Sequence, residues 1–432
     1  MSSPSATGHP LPGRLVVRSV ELPAAGAVPD NLLDLLPADR PAVWLRRGEG
    51  LVAWGTAAEC TTSGPDRFTD AVDWWRSVSE NAEVHDEVDV PGTGLVCLSS
   101  FAFADEPGTS TLVVPEVLVG RRGDRTWVTV VGVGAEPAVP ELVTVPEVEA
   151  PRNVTFADGA LSGAGWESVV AEAVGRISAG DLEKVVLARD LVATADDHVD
   201  VRWPLRRLAD GYEMCWTFHV DGLFGATPEM LVRRERGLVT SRVLAGTIRR
   251  TGDDQSDLAL AGQLARSSKD LEEHEYAVRS VADALAPYCS SMNVPEVPFV
   301  LHLPNVMHLA TDVAGVVHDH AAGAETAAGG ATVLELAAAL HPSAAVGGTP
   351  TKVAVEMIAE IEGMDRGRYA GPVGWMDSRG DGEFGIALRS AEVRGNQVRL
   401  FAGCGIVADS DPEAELAEAQ AKFLPVRDAL TD

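Results

Sequence analysis

The chain has 432 residues, with 35 Lys and Arg against 64 Asp and Glu, and so a formal net charge of −29. So acidic a protein repels nucleic-acid backbones and anionic lipid surfaces, which excludes both as expected partners. At 46% hydrophobic and 23% charged residues it can bury a large core, and roughly 150 residues per domain suggests about three units from length alone.

Residues 1–12 have neither the basic start nor the apolar stretch of a signal peptide and read as a disordered terminus. From residue 13 to about 150, short apolar runs such as LVVRSV, AVWLRR and TWVTVVGV alternate with turns around one helix-like segment, DRFTDAVDWWRSVSENA. Between Ala135 and Pro151 four prolines predict a connector or edge segment. From about 160 to 432 the helix WESVVAEAVGRISAG feeds the strand EKVVLARDL, and strands follow through CWTFHV, GLFGAT and EMLVRRE. One long helix is predicted from about Ser256 to Ala286, then strands around VPFVLHL and VMHLATDVAGVV. Helices ATVLELAAAL and PTKVAVEMIAEI come next, with Thr349 and Pro350 suited to the cap and first turn of the latter. Strands YAGPVGWM, EFGIALRSAEV and QVRLFAGCGIV and a helix from about Pro412 to Leu430 close the chain. Runs of strands favour an α+β fold with largely antiparallel sheet. The 5 cysteines are widely spaced with no Cys-x-x-Cys, which speaks against a disulfide framework or zinc site and for a cytoplasmic location. No stretch of about 18 apolar residues spans a membrane.

Several local patterns could carry chemistry. Glu415, Glu418 and Lys422 share one face of the final helix, and Asp270 and Glu273 repeat the three-residue spacing on the long helix. Two such pairs could hold a hard cation such as Mg²⁺, although acidic helix faces are more often solvated. Lys184 lies in an apolar strand whose alternation puts it on the face opposite Arg189; it is either a desolvated base or an edge lysine reaching water. Glu229 follows Pro228 in a turn, where a carboxyl could be kept protonated in a semi-apolar pocket, although turn glutamates are usually exposed. Arg389 could grip a carboxylate or serve a structural ion pair. Gly403 and Gly405 end a strand, where bare N–H groups could meet an anion or allow a bulge. HPSAAVGGTPTK lacks Walker A spacing, no Gly-x-Ser-x-Gly elbow occurs, and His318-Asp319-His320 lacks further clustered ligands.

In order, KVVLAR, FGATPE, LAGTIRR, SSKDLEEHEYAV, PNVMHLAT, LHPSAAVGGTP, RYAGPVGW, EFGIALRSAEV and AGCGIVADSDPEAELAEAQAK resemble the chorismate-utilising enzymes over about residues 165–430. That family includes isochorismate, salicylate, anthranilate and aminodeoxychorismate synthases. The resemblance implies a single large anthranilate-synthase-like α+β fold, with two orthogonally packed sheets flanked by helices and residues 13–150 belonging to the same unit. Lys184 stands where the ammonia-using members typically carry glutamine, and Ala245 where aminodeoxychorismate synthases place a nucleophilic lysine. Water is therefore the expected nucleophile, with no glutamine amidotransferase subunit.

The implied activity is Mg²⁺-dependent isochorismate synthesis from chorismate, for menaquinone in the first instance. A salicylate synthase, or a synthase serving siderophores, is the alternative. By the same resemblance Lys184 is the general base and Glu229 the general acid. Glu273 and Glu418 hold Mg²⁺, with Asp270 and Glu415 on the metal or its waters. Tyr369, Arg389 and Gly403 meet the enolpyruvyl carboxylate, Lys422 and Gly405 assist the ring carboxylate, and Gly246, Thr247 and His308 line the pocket. A monomer is expected. The chain departs from the family pattern at Ala419, commonly threonine, and at Ser343-Ala344, commonly Thr-Pro, which predicts small changes in pocket shape.

Overall fold

The computed structural model describes residues 7–8, 13–23, 28–302, 306–318 and 330–431, except the side chains of residues 7, 8, 269 and 273. Apart from the backbone of Thr7–Gly8, which pairs with Thr61 and Cys60, the expected disordered terminus 1–12 lies outside the described residues, as do Asp319 and His320.

Among the described residues the strands form two sheets, of 11 and 13 strands, antiparallel except where Leu15–Glu21 runs parallel to Glu83–Asp86. Each sheet mixes early and late strands. Val96–Ser100 pairs with Pro372–Asp377 in the smaller sheet, and Ala42–Arg46 with Trp216–Val220 in the larger. Between the sheets lies an apolar layer with Trp44, Trp127, Trp216, Phe218, Met230 and Trp375. A second cluster packs the helices Arg67–Glu80, Gly163–Ser178, Val333–Leu340 and Thr351–Ile361 onto strands of both sheets. A third joins the larger sheet to Arg202–Gly211 and the end of Pro412–Ala429. Residues 135–151 are without helix or strand, as their prolines dictate.

Three local expectations need correction. The predicted helix from Ser256 to Ala286 is two helices, Asp254–Leu264 and Ser268–Leu285, because Ser267 leaves helical geometry and its side chain accepts from the Asp270 N–H, capping a new start. EFGIALRSAEV is not one strand. It breaks between Gly382–Ile386 and Ser390–Arg394, which belong to different sheets, and Arg389 at the break has φ +49°. Thr349 does not cap the helix Thr351–Ile361: it is paired to Lys184 as a short strand, and Pro350 takes the cap position.

The break at Arg389 has a counterpart. Leu223–Thr227 lies in the larger sheet and Met230–Glu235 in the smaller, so the chain crosses between sheets at Pro228-Glu229 as well. The two crossings are neighbours: Gly225 opposes Ser390 on one side and Met230 opposes Gly385 on the other. Bends or bulges are how strands pass between packed sheets, and here two such corners lie side by side.

Candidate active site

A cavity of about 740 Å³ opens beside these corners, and every predicted site residue with a described side chain lines it. Glu273 lies on the helix Ser268–Leu285 with its side chain outside the described residues. Lys184 begins the strand Lys184–Thr194, and alternation brings Lys184 and Val186 to the cavity. Arg189 leaves on the other face, as expected, where it is buried against Asp158. The absence of a side chain at Gly405, opposite Val186, makes room for Lys184: a Cβ there would come within 2.8 Å of its Cε.

Glu229 is buried, not exposed as turn glutamates usually are. Its N–H donates to Thr227 Oγ1, and its carbonyl accepts from the Ile386 N–H on the adjacent strand, which holds the corner in place. Burial pushes its carboxyl up to about 7, against the opposing pull of Lys184, Arg389 and Lys422. At the neighbouring corner, the Arg389 carbonyl accepts from the Ala226 N–H, and its left-handed backbone is the kind of strain that the surrounding structure must over-determine. Burial lowers its pKa, and its guanidinium has no ion pair among the described residues. Tyr369 stacks on Phe401 with centroids 5.1 Å apart, and its hydroxyl likewise has no hydrogen-bond partner among the described residues. Two donors left uncommitted at one cavity wall suit an anion.

A β-bulge shapes the opposite wall. Ala245 pairs with Leu309 and Thr247 with His308, so Gly246 is the extra residue, at φ +74° and with only 3.2 Å between a hypothetical Cβ and Asp270 Cβ. Thr247 Oγ1 and His308 Nδ1 are 2.9 Å apart. Burial, with Arg389 and Lys422, lowers His308 to about 4, so it offers the cavity a neutral ring.

The final helix starts at Asp411, whose carboxylate accepts from the Ala414 N–H, with Pro412 in the first turn. It directs Glu415 and Glu418 to the cavity, close to Cys404. Ser410 Oγ donates to Glu415 at 2.8 Å, and burial beside Glu418 raises the Glu415 carboxyl. Burial raises Glu418 too, but Lys422, 2.7 Å away, outweighs it and holds that carboxyl low. Lys422 also donates to the Gly403 carbonyl. Asp270 faces the same cavity from the other helix. Among the described residues Glu415 and Glu418 stand with Cys404 close enough to share one ion and Asp270 is not part of that group; their carboxylate oxygens suit a hard divalent cation. The Cys404 thiol is pushed up to about 12 by burial, so it stays protonated and adds no competing soft ligand.

Arg366 also lines the cavity, and neither it nor Glu362 figured among the predicted site residues. Their fully buried ion pair pins the Lys184 strand: Ala188 N–H donates to Glu362, while Arg366 donates to the carbonyls of Val186 and Val346. The signal was present in the sequence as a Glu–Arg pair four residues apart at a helix end. The pattern departures prove local. Ala419 is buried in the helix interface, and Ala344 lines the cavity beside Ser343, whose buried hydroxyl lacks a partner among the described residues.

A family model described as "Chorismate binding enzyme" matches residues 44–431. The chain belongs to the chorismate-binding enzyme family. Among members of this family with curated names, the isochorismate synthase MenF of Bacillus subtilis is 36% identical over 269 residues, covering 61% of this chain and 55% of its own. The chain thus spans about half the length of that relative. Its fold matches the solved menaquinone-specific isochorismate synthase MenF of Escherichia coli with a TM-score of 0.79 at 25% identity, over 97% of this chain and 95% of that one. Anthranilate synthase component I of Streptococcus pneumoniae shares the fold with a TM-score of 0.72 at 21% identity, over 88% and 92% of the two chains. The anthranilate-synthase-like α+β architecture expected of this chorismate-binding enzyme is thus the one observed. Among the described residues no helix is long and apolar enough to cross a membrane.

Proposed function

We propose that the protein is an isochorismate synthase, which adds water at C2 of chorismate as the C4 hydroxyl departs. The observation that carries this reading is the meeting of Lys184 and Glu229 at one cavity whose other polar groups divide into an uncommitted Tyr369–Arg389 pair and a carboxylate cluster. Water is a poor nucleophile and hydroxide a poor leaving group, so the reaction needs a base and an acid at once. Lys184 accepts the proton of the attacking water as its oxygen bonds to C2. The ring double bonds shift, the C4–O bond breaks, and the Glu229 carboxyl protonates the departing hydroxide, so one water enters and one leaves. A carboxyl with a pKa of about 7 retains the proton it must give near neutral pH.

Tyr369, Arg389 and the backbone at Gly403 bind the enolpyruvyl carboxylate, and Gly246, Thr247 and neutral His308 shape the pocket around the ring. Glu273 and Glu418, with Asp270 and Glu415, would hold Mg²⁺, which when bound supplies positive charge to the ring carboxylate, assisted by Lys422 and Gly405. We further propose a cytoplasmic monomer that works without an amidotransferase subunit, since Lys184 stands in place of the glutamine of ammonia-using relatives. A role in menaquinone synthesis is favoured by the match to a menaquinone-specific enzyme along nearly the whole chain. Supply of a siderophore pathway is the alternative: loss of the gene should remove menaquinone and spare the siderophore in the first case, and the reverse in the second.

Chorismate incubated with the protein and Mg²⁺ should give isochorismate without pyruvate, and chelation of the metal should stop turnover. Equal amounts of salicylate and pyruvate would identify a salicylate synthase and overturn the proposal.

A further inference from the structure

The Tyr369–Phe401 wall is braced from behind. The rings are nearly parallel, 10° apart at 5.1 Å, and the Arg399 guanidinium carbon lies 4.7 Å from the same Phe401 centroid. The Tyr369 ring and the Arg399 guanidinium thus both bear on Phe401. Arg399 Nε donates to Asp190 at 2.6 Å, and the other oxygen of this buried carboxylate accepts from the Ala160 N–H at 2.8 Å. Gly159 permits that approach, since a Cβ there would stand 2.2 Å from the Asp190 carboxyl. The register produces the arrangement: Asp190 opposes Phe401 and Val192 opposes Arg399, so strand alternation carries Arg399 and Phe401 onto the face that bears Gly403 and Gly405. Arg399 lines a separate recess of about 410 Å³ and not the main cavity, so its effect on the cavity is indirect.

We propose that Arg399 is a positioning residue: clamped by Asp190, it fixes Phe401 and thereby the orientation of Tyr369. The consequence for chorismate rests on the function proposed above, whereas the clamp itself does not. The chain has 4 tyrosines, so 3-fluorotyrosine labelling gives a simple fluorine spectrum in which Tyr369→Phe assigns the Tyr369 line. Arg399→Met should shift or broaden that line while those of Tyr212, Tyr276 and Tyr288 stay in place, and Arg399→Lys should restore it in part. Asp190→Asn, which loosens the same guanidinium by another route, should move the same line. An unmoved Tyr369 line overturns the clamp, and so does a common movement of all four, the mark of a general structural role. With chorismate, Arg399→Met should raise KM roughly fivefold to tenfold and change kcat less than about twofold, an effect absent in a Tyr369→Phe background. Independent, multiplying effects would overturn the role in substrate binding. Failure of the wild-type protein to convert chorismate would defeat the proposed function and leave the fluorine result to stand or fall by itself.

Discussion

Glu229, the proposed acid, would join function and stability in one side chain. Its folded-state pKa is raised, so burial favours the protonated form: the full stability is present below the ordinary value of 4.5 and is lost as pH rises through about 7. Glu229→Gln, which cannot ionise, should therefore leave stability unchanged at pH 4.5 and gain ~3 kcal/mol at pH 8, at ~1.4 kcal/mol per pH unit between the two pKa values. Denaturant unfolding of both proteins at the two pH values checks this. The same change should reduce turnover about 10²-fold or more by removing the acid. The sequence marked Glu229 as a candidate through its Pro-containing turn, yet the cause of its burial could not be read there. The strand Gly382–Ile386 that covers it lies some 150 residues further along, and no local pattern reports such a contact. Lys184, Tyr369 and Arg389 were identifiable because they sit in distinctive blocks, whereas Arg366 and Arg399 sit in ordinary ones.

Strand pairing supplies the space that Lys184, the proposed base, occupies. Gly405→Ala would put a Cβ against the end of the Lys184 side chain, which can swing aside, and so should cost little stability while displacing the amine. Turnover should fall by an order of magnitude or more with the melting temperature nearly unchanged. Gly246→Ala is the contrasting case. A left-handed φ strains any side chain there and Asp270 must give way to it, so the protein should lose about 1–2 kcal/mol and the proposed Mg²⁺ binding should weaken, measured by calorimetry. Most elements were visible as runs of period two or 3.6 between turn residues. Two of the failures share one physical origin: a single side chain or dihedral overrides a periodic pattern, whereas Thr349 is drawn from its cap by pairing with the distant Lys184. Ser267 restarts a helix that the apolar spacing continues, and the left-handed Arg389 splits a run of strand-forming residues between two sheets.

Length suggested about three units, and the family resemblance replaced them with one. Hydrogen bonding shows why counting fails, since each sheet joins a block of strands from residues 7–133 edge to edge with a block from residues 155–406. Residues 13–150 and 160–432 expressed separately should each lack a cooperative thermal transition, because each leaves strand edges and the Trp44–Trp375 layer open; mixing them may be compared with the intact chain by calorimetry. That join also sets a timetable. Ser100 pairs with Val373, 373 − 100 = 273 positions later. At roughly 5–20 residues per second, the ribosome takes about 15–55 s to make the partner of an apolar strand already synthesised. During that interval the first third of the nascent chain has an open β edge and an unfinished core, so it should depend on holding chaperones until the strand Pro372–Asp377 has left the exit tunnel.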